Sequence, residues 1–284
     1  MARNTRSSIS ATVTRAGRIG PMRRFGKLRL TRDSQRIVSL APNVTSILLA
    51  LGVGHELVGV SKWCKHVAPV GRRAQVGDCW KLNIEEVMRL KPTLVIGSVP
   101  FATETVAQIL KRPVSFLAIN PRTIADIYGD IRRLGNLIGR PSAAVGLIRR
   151  MQHSFAKIHA RASRIRRHTQ RLRVYCEAWP KPRISSPPWV AELVKIAGGQ
   201  MALPSGERVS DEDIAHANPD VIILAWTATG DRAKPSHALK NPAWQNVSAV
   251  KTRRVFVIRD ELLNTPGPPL MDGARELLRA IHST

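Results

Sequence analysis

Asn83-Ile84-Glu85-Glu86-Val87, followed by Pro92-Thr93-Leu94-Val95-Ile96, returns later in the chain as Ser210-Asp211-Glu212-Asp213-Ile214, followed by Pro219-Asp220-Val221-Ile222-Ile223. Each position of the second stretch lies 127 residues after its counterpart, 83 to 210 and 92 to 219. In both copies a short polar residue stands three before an acid, the spacing of a helix capping box. A proline then ends the helix and launches an apolar strand. Cap, acid, proline and strand repeating in register indicate two similar folds within one chain.

Around the first copy, short apolar strands alternate with amphipathic helices. Residues 36–40, 57–60, 94–97 and 114–119 read as strands. Residues 45–51, 84–90, 104–110 and 123–138 read as helices, the first capped near Asn43 and closed by Gly52. Strands apolar at every position need cover on both faces, which a parallel sheet between helices supplies. The second copy sits in a similar run: strands at 172–176, 221–225 and 255–258, with helices at 189–197 and 270–281.

Between the copies, residues 142–168 contain no proline and only one glycine, Gly146. Val145, Ile148, Met151, Phe155, Ile158, Ala162 and Ile165 recur at helical spacing. The pattern predicts a single helix of about 27 residues, roughly 40 Å long, with an Arg-rich outer face. The expected fold is α/β, with two similar parallel-sheet lobes joined by one long interlobe helix. The expected division is a disordered basic extension at 1–35, an N-terminal lobe at 36–140, the helix at 141–169 and a C-terminal lobe at 170–284.

The chain carries 45 Lys and Arg against 20 Asp and Glu, a formal charge of +25. Two segments hold 20 of those cations: ten in residues 1–36, against the lone acid Asp33, and ten in residues 140–173, which contain no acid. Such a balance raises the question of a nucleic-acid partner, but the stacking aromatics that single-strand binders interleave with their cations are missing. A solvated tail and helix face are the simpler reading. Cys64, Cys79 and Cys176 are too few and too widely spaced for a disulfide framework or a closed zinc site. Residues 1–36 show no apolar core of a secretory signal. Met22-Arg23-Arg24-Phe25-Gly26-Lys27 resembles a twin-arginine motif only faintly, with no apolar run after it.

Ligands of open parallel sheets bind beyond the carboxyl ends of the strands. Reading off those positions yields Trp63, Phe101 and Arg122 from the first half, with Trp80 on an adjacent loop, and Trp179, Trp189, Trp226 and Asn264 from the second. Aromatics make up only 5% of the chain, yet five of its six tryptophans fall at these places. Any one of them could equally be core; five from both halves point to a shared cleft. Indole faces suit a flat macrocycle with polar edges. Enzyme signatures are missing: there is no Gly-rich phosphate loop, His-Glu-x-x-His or G-x-S-x-G. Cys64-Lys65-His66 has no third group to orient a nucleophile pair. His66 is a weak candidate ligand to a chelated metal, and no intrinsic cofactor or metal site is expected.

These features resemble the class III periplasmic binding proteins, the helical-backbone metal receptors that serve cobalamin and ferric-siderophore import. Arg36-Ile37-Val38-Ser39-Leu40-Ala41-Pro42-Asn43-Val44-Thr45-Ser46-Ile47 is similar to the family's opening motif, and Leu57-Val58-Gly59-Val60-Ser61 to its second strand. Asn241-Pro242-Ala243-Trp244 and Pro266-Gly267-Pro268-Pro269 resemble its ending, so the likeness covers residues 36–282. The resemblance implies a monomeric, non-enzymatic binder that holds a metal chelate between its lobes and delivers it to an ABC importer. The cobalamin branch is the most similar, which implies a corrinoid ligand, with Trp63 and Trp80 near aromatic positions of that branch. It also implies that Glu85 and Glu212, one on each lobe, meet the permease. A ferric siderophore or haem on the same fold is the alternative, with Arg122, Arg183 and Arg259 as anion contacts. A cytosolic corrinoid- or nucleic-acid-associated protein is a further one. The family implies periplasmic or cell-surface delivery; without a recognisable signal in residues 1–36, a cytoplasmic location stays open. Cys64–Pro69 departs from the acidic, proline-rich loop common in the family at that point.

Overall fold

A computed structural model describes residues 35–165, 170–228 and 232–283. The expected disordered extension lies outside the described residues except for Gln35, as do the last residues of the expected interlobe helix. The first lobe runs β1 (Ile37–Ser39), α1 (Pro42–Ala50), β2 (Leu57–Ser61), β3 (Ala74–Val76), α2 (Ile84–Arg89), β4 (Leu94–Ser98), α3 (Thr103–Leu110), β5 (Ser115–Ile119) and α4 (Ile124–Leu137). Its strands form one sheet in the order β3-β2-β1-β4-β5, every pairing parallel. β1, which enters first, lies at the centre, and Ile37 and Val38 are fully buried.

Helix α5 (Pro141–Ile165) follows, 25 residues or about 37 Å of rod. Its buried face is Ala144, Leu147, Ile148, Met151, Phe155, Ile158 and Ala162. That face packs on α4 and on two helices of the second lobe, so one apolar core runs without a break through both halves.

The second lobe contains β6 (Arg173–Pro180), β7 (Arg183–Ser185), α6 (Pro188–Ile196), β8 (Gln200–Met201), α7 (Asp211–Ala217), β9 (Val221–Leu224), α8 (Ser236–Leu239), α9 (Ser248–Lys251), β10 (Val255–Val257), α10 (Asp260–Leu263) and α11 (Leu270–His282). Its order is β10-β9-β6-β7, with β8 also on β6. β6, β9 and β10 are parallel, as expected, and β8 joins β6 in the same sense. β7 pairs antiparallel with the end of β6, so this sheet is not wholly parallel. A short return strand has too few residues to show periodicity, which is why β3, β7 and β8 escape a pattern-based reading.

The repeated stretch holds in three dimensions. α2 and α7 start, and β4 and β9 start, at the same 127-residue offset, 84 to 211 and 94 to 221. Ser210 and Asp213 form a full reciprocal capping box. Asn83 accepts from the backbone N–H of both Glu85 and Glu86, while Glu86 answers to the Asn83 side-chain amide instead. The expected cap of α1 at Asn43 is corrected: the helix begins at Pro42, whose fixed φ and missing N–H suit a first turn, and Asn43 is buried inside it.

Candidate functional site: a tryptophan-lined cleft

The carboxyl ends of β1, β2 and β4 from one lobe, and of β6 from the other, face a cavity of about 950 Å³. Of the predicted residues, Trp63, Trp80, Arg122, Trp179, Trp189 and Asn264 all line it, and so does His66. Four indoles therefore come from both lobes to one space. Trp80 is the most open, 63% exposed. Trp189, in the first turn of α6, is anchored by its indole N–H donating to the Leu263 carbonyl, 2.8 Å away.

Two predicted residues lie elsewhere. Trp226 is corrected: it is only 8% exposed and does not line the cleft. Its indole N–H donates over 2.7 Å to Oε1 of Glu177, and its ring joins a core cluster with Tyr175 and Trp244. Phe101 is corrected too. Its ring covers Gly97 of β4, where a Cβ would come within 2.7 Å of it, and it meets Phe116 edge-on at 5.6 Å. Both follow a strand, but the turn after each strand folds the side chain back onto the lobe. Arg183 and Arg259, considered as anion contacts, are engaged with Glu177 and Asp211, and with Glu261, respectively.

The loop carrying Trp80 has a local cause. At Gly77 any Cβ would lie 2.0 Å from the Lys81 carbonyl oxygen, so only glycine lets the chain close there. Asp78 then accepts from the backbone N–H of Trp80 and of Lys81, both at 3.0 Å, an Asx-type turn. Its other oxygen accepts the Trp63 indole N–H at 2.8 Å. One carboxylate thus orients the loops of two cleft tryptophans. The sequence carries the turn signal for this loop, Asp-x-x-Lys at 78–81.

The first lobe brings Lys62, Lys81 and Arg122 to the cleft together with the Asp78 carboxylate; the second brings the carboxylates of Asp260 and Glu261. Burial pushes the Asp260 carboxyl above its ordinary value, although the Ala228 N–H donates to it. Across one end of the cleft, His66 Nδ1 stands 3.8 Å from Glu261 Oε1, and Arg259 donates to the His66 carbonyl at 3.4 Å. Cys79 lines the wall, but burial pushes its thiol up to about 11, and burial raises that of Cys64 as well. Both stay protonated and are poor nucleophiles. Among the described residues no group of three or more His, Cys, Asp or Glu is placed to hold a metal ion.

A cleft between two parallel-sheet lobes, tied by one rigid helix and walled by indoles, defines a binding protein of the two-lobed, helix-bridged class. The chain belongs to the periplasmic binding protein family, whose model matches residues 37–262. It is therefore the substrate-binding, non-enzymatic component of an ABC importer. It is 27% identical over 263 residues, 89% of this chain and 82% of the relative, to the "Uncharacterized ABC transporter substrate-binding lipoprotein YvrC" of Bacillus subtilis. It is 25% identical over 259 residues to the vitamin B12-binding protein of Vibrio cholerae, covering 86% of this chain and 88% of that one. Among solved structures, a periplasmic heme binding protein from Pseudomonas aeruginosa superposes with a TM-score of 0.79 at 21% identity, over 88% of this chain and 93% of that one. The periplasmic vitamin B12 binding protein BtuF of Vibrio cholerae superposes at 0.69 and 23% identity, over 87% and 96%. Family members are periplasmic or lipoprotein-anchored, and among the described residues no helix is long and apolar enough to cross a membrane.

Proposed function

We propose that this chain captures a corrinoid, with cobalamin the foremost candidate, and hands it to the permease of an ABC importer. The observation that carries the reading is the set of four tryptophans, Trp63, Trp80, Trp179 and Trp189, on one cavity of about 950 Å³. Flat apolar walls with a single N–H each grip a broad macrocycle while leaving its polar rim to hydrogen-bonding groups. Asn264 lines the cleft, but its amide already serves the Ala225 carbonyl and Thr227, and its Oδ1 is buried without a partner. Relatives named vitamin B12-binding proteins support the same ligand class. Glu85 and Glu212, both exposed on the first turns of capped helices, are the proposed permease contacts.

A haem or ferric siderophore is the second reading. It is favoured by one observation, that Lys62, Lys81 and Arg122 line the same wall and would receive carboxylates. Titration of the purified chain with cyanocobalamin, followed by tryptophan fluorescence, tests the first reading. Saturable binding in the nanomolar to low micromolar range is expected. No saturation up to high micromolar cobalamin, with tight haem binding in parallel, would replace it with the second.

A further inference from the structure

We propose that the outer face of α5 is an adhesion surface for anionic phospholipid. Arg149, Arg150, Lys157, Arg161 and Arg164 are all exposed, and with His153 they lie on the side opposite the buried row from Ala144 to Ala162. The 25 residues of α5 include no acid. Three exposed arginines of other helices each have an acid one turn away, Arg133 with Asp130, Arg275 with Asp272 and Arg279 with Glu276, which α5 does not offer. Among the described residues none of the five α5 cations has an ion-pair partner.

This arrangement works against the isolated protein. Lys157 and Arg161 stand four residues apart and Arg161 and Arg164 three, spacings that set neighbouring side chains over each other on one helix face. Like charges so placed repel, and a solvated helix ordinarily relieves this by interleaving glutamates. An opposing negative surface relieves it from outside. The stripe from Arg149 to Arg164 spans about 22 Å at 1.5 Å per residue, a straight row suited to a plane of headgroups.

Lipid fits better than a single-stranded polynucleotide. The exposed tryptophans, Trp80 and Trp179, line the cleft and not this helix, so there is nothing here to stack bases. The permease this family serves lies in a membrane, so anionic headgroups adjoin its partner. No residue of α5 lines the cleft, so adhesion and ligand capture are separable.

The test is co-sedimentation of the full chain at low salt with vesicles of mixed phosphatidylglycerol and phosphatidylcholine, and with phosphatidylcholine alone. Wild type is expected on the mixed vesicles only. The triple variant Lys157→Gln, Arg161→Gln, Arg164→Gln should partition on the order of a hundredfold less, from the contribution of each cation near a charged surface. Arg161→Lys with Arg164→Lys, which keeps the charge, should retain binding, and a thermal melt checks that each variant is folded. The proposal is overturned if wild type ignores the mixed vesicles or binds a DNA duplex more tightly than them. It is equally overturned if the folded triple variant partitions like wild type, because the basic residues 1–36 would then carry the effect. Cobalamin titration of the triple variant reads the cleft independently.

Discussion

Lys91 and Asn218 occupy the same left-handed position in the two halves of the chain, with φ of 47° and 42°. They stand 127 residues apart, each just before the proline that follows a capped helix. Each carbonyl accepts from an arginine at the start of its lobe: Arg36 Nε reaches Lys91 at 3.1 Å, and an Arg173 terminal nitrogen reaches Asn218 at 2.8 Å. The backbone N–H groups of these arginines donate in turn to Thr93 Oγ1 and Asp220 Oδ2, which are again 127 residues apart. The repeat is thus a bonded unit that fastens the central strand to the capped helix, and it extends beyond the residues that announce it in sequence.

The two positions differ in how well the side chain suits the backbone. Asparagine tolerates the left-handed region and lysine does not, at a cost of about 1 kcal/mol. Lys91→Asn is expected to raise stability by about 0.5–1 kcal/mol. Asn218→Lys should lower it by about 1–3 kcal/mol, since it also removes the acceptor of the Ser248 N–H at 2.7 Å. Urea unfolding midpoints at constant slope measure both.

Glu177 is fully buried and receives Tyr175, Trp226 and Arg183. Burial pushes its carboxyl above the ordinary value despite the guanidinium beside it. Arg183→Met leaves that carboxylate without its cation and should cost about 3–5 kcal/mol at neutral pH. The sign of the pH dependence follows from the raised pKa. Between the unfolded and folded values the native state holds a proton that the unfolded chain has released, so stability falls as pH rises through that window. The deficit of the variant should therefore be smallest in acid and grow toward neutrality. Adding Glu177→Gln should flatten the dependence, and urea melts across that pH range decide the matter.

Trp80 and Trp226 should separate affinity from stability. Trp80 is largely exposed on the cleft, so Trp80→Ala is expected to weaken cobalamin binding about tenfold to a hundredfold. Its stability should move by no more than about 0.5 kcal/mol. Trp226→Ala removes a buried ring and the indole donor to Glu177, and should cost about 3–5 kcal/mol of stability. Equal affinity losses without any loss of stability would show that Trp226 reaches the ligand after all. Fluorescence titration and thermal melts on the same samples read both quantities.

Glu85 and Glu212 share a helix position but not a neighbourhood. Glu85 is paired with Arg112, whereas no ion pair holds Glu212 among the described residues. Under the proposed docking role, Glu85→Ala and Glu212→Ala should each reduce uptake through a reconstituted permease on the order of tenfold or more, with the cobalamin Kd unchanged. Unchanged uptake in the double variant would remove these residues from the docking surface.

Much of this molecule was legible in one dimension because its signals are local. Capping spacing, apolar strands and helical periodicity depend on neighbours a few residues apart, so the repeat, α5 and the major strands could be read directly. The placement of Trp63, Trp80, Trp179 and Trp189 on a rim also followed, since parallel sheets put their functional loops at one end. The return strand β7 did not, because three residues turned back onto the end of β6 are too few to show a period. Which tryptophans face the cleft was likewise a tertiary matter. Trp179, near the end of β6, and Trp226, just past the end of the adjacent β9, each follow an alanine, and the buried carboxylate of Glu177 draws the second indole inward while the first donates to the Lys181 carbonyl and stays at the cavity. A side chain's direction at a strand end is set by what waits on either side of it, and that partner is supplied by a segment tens of residues away.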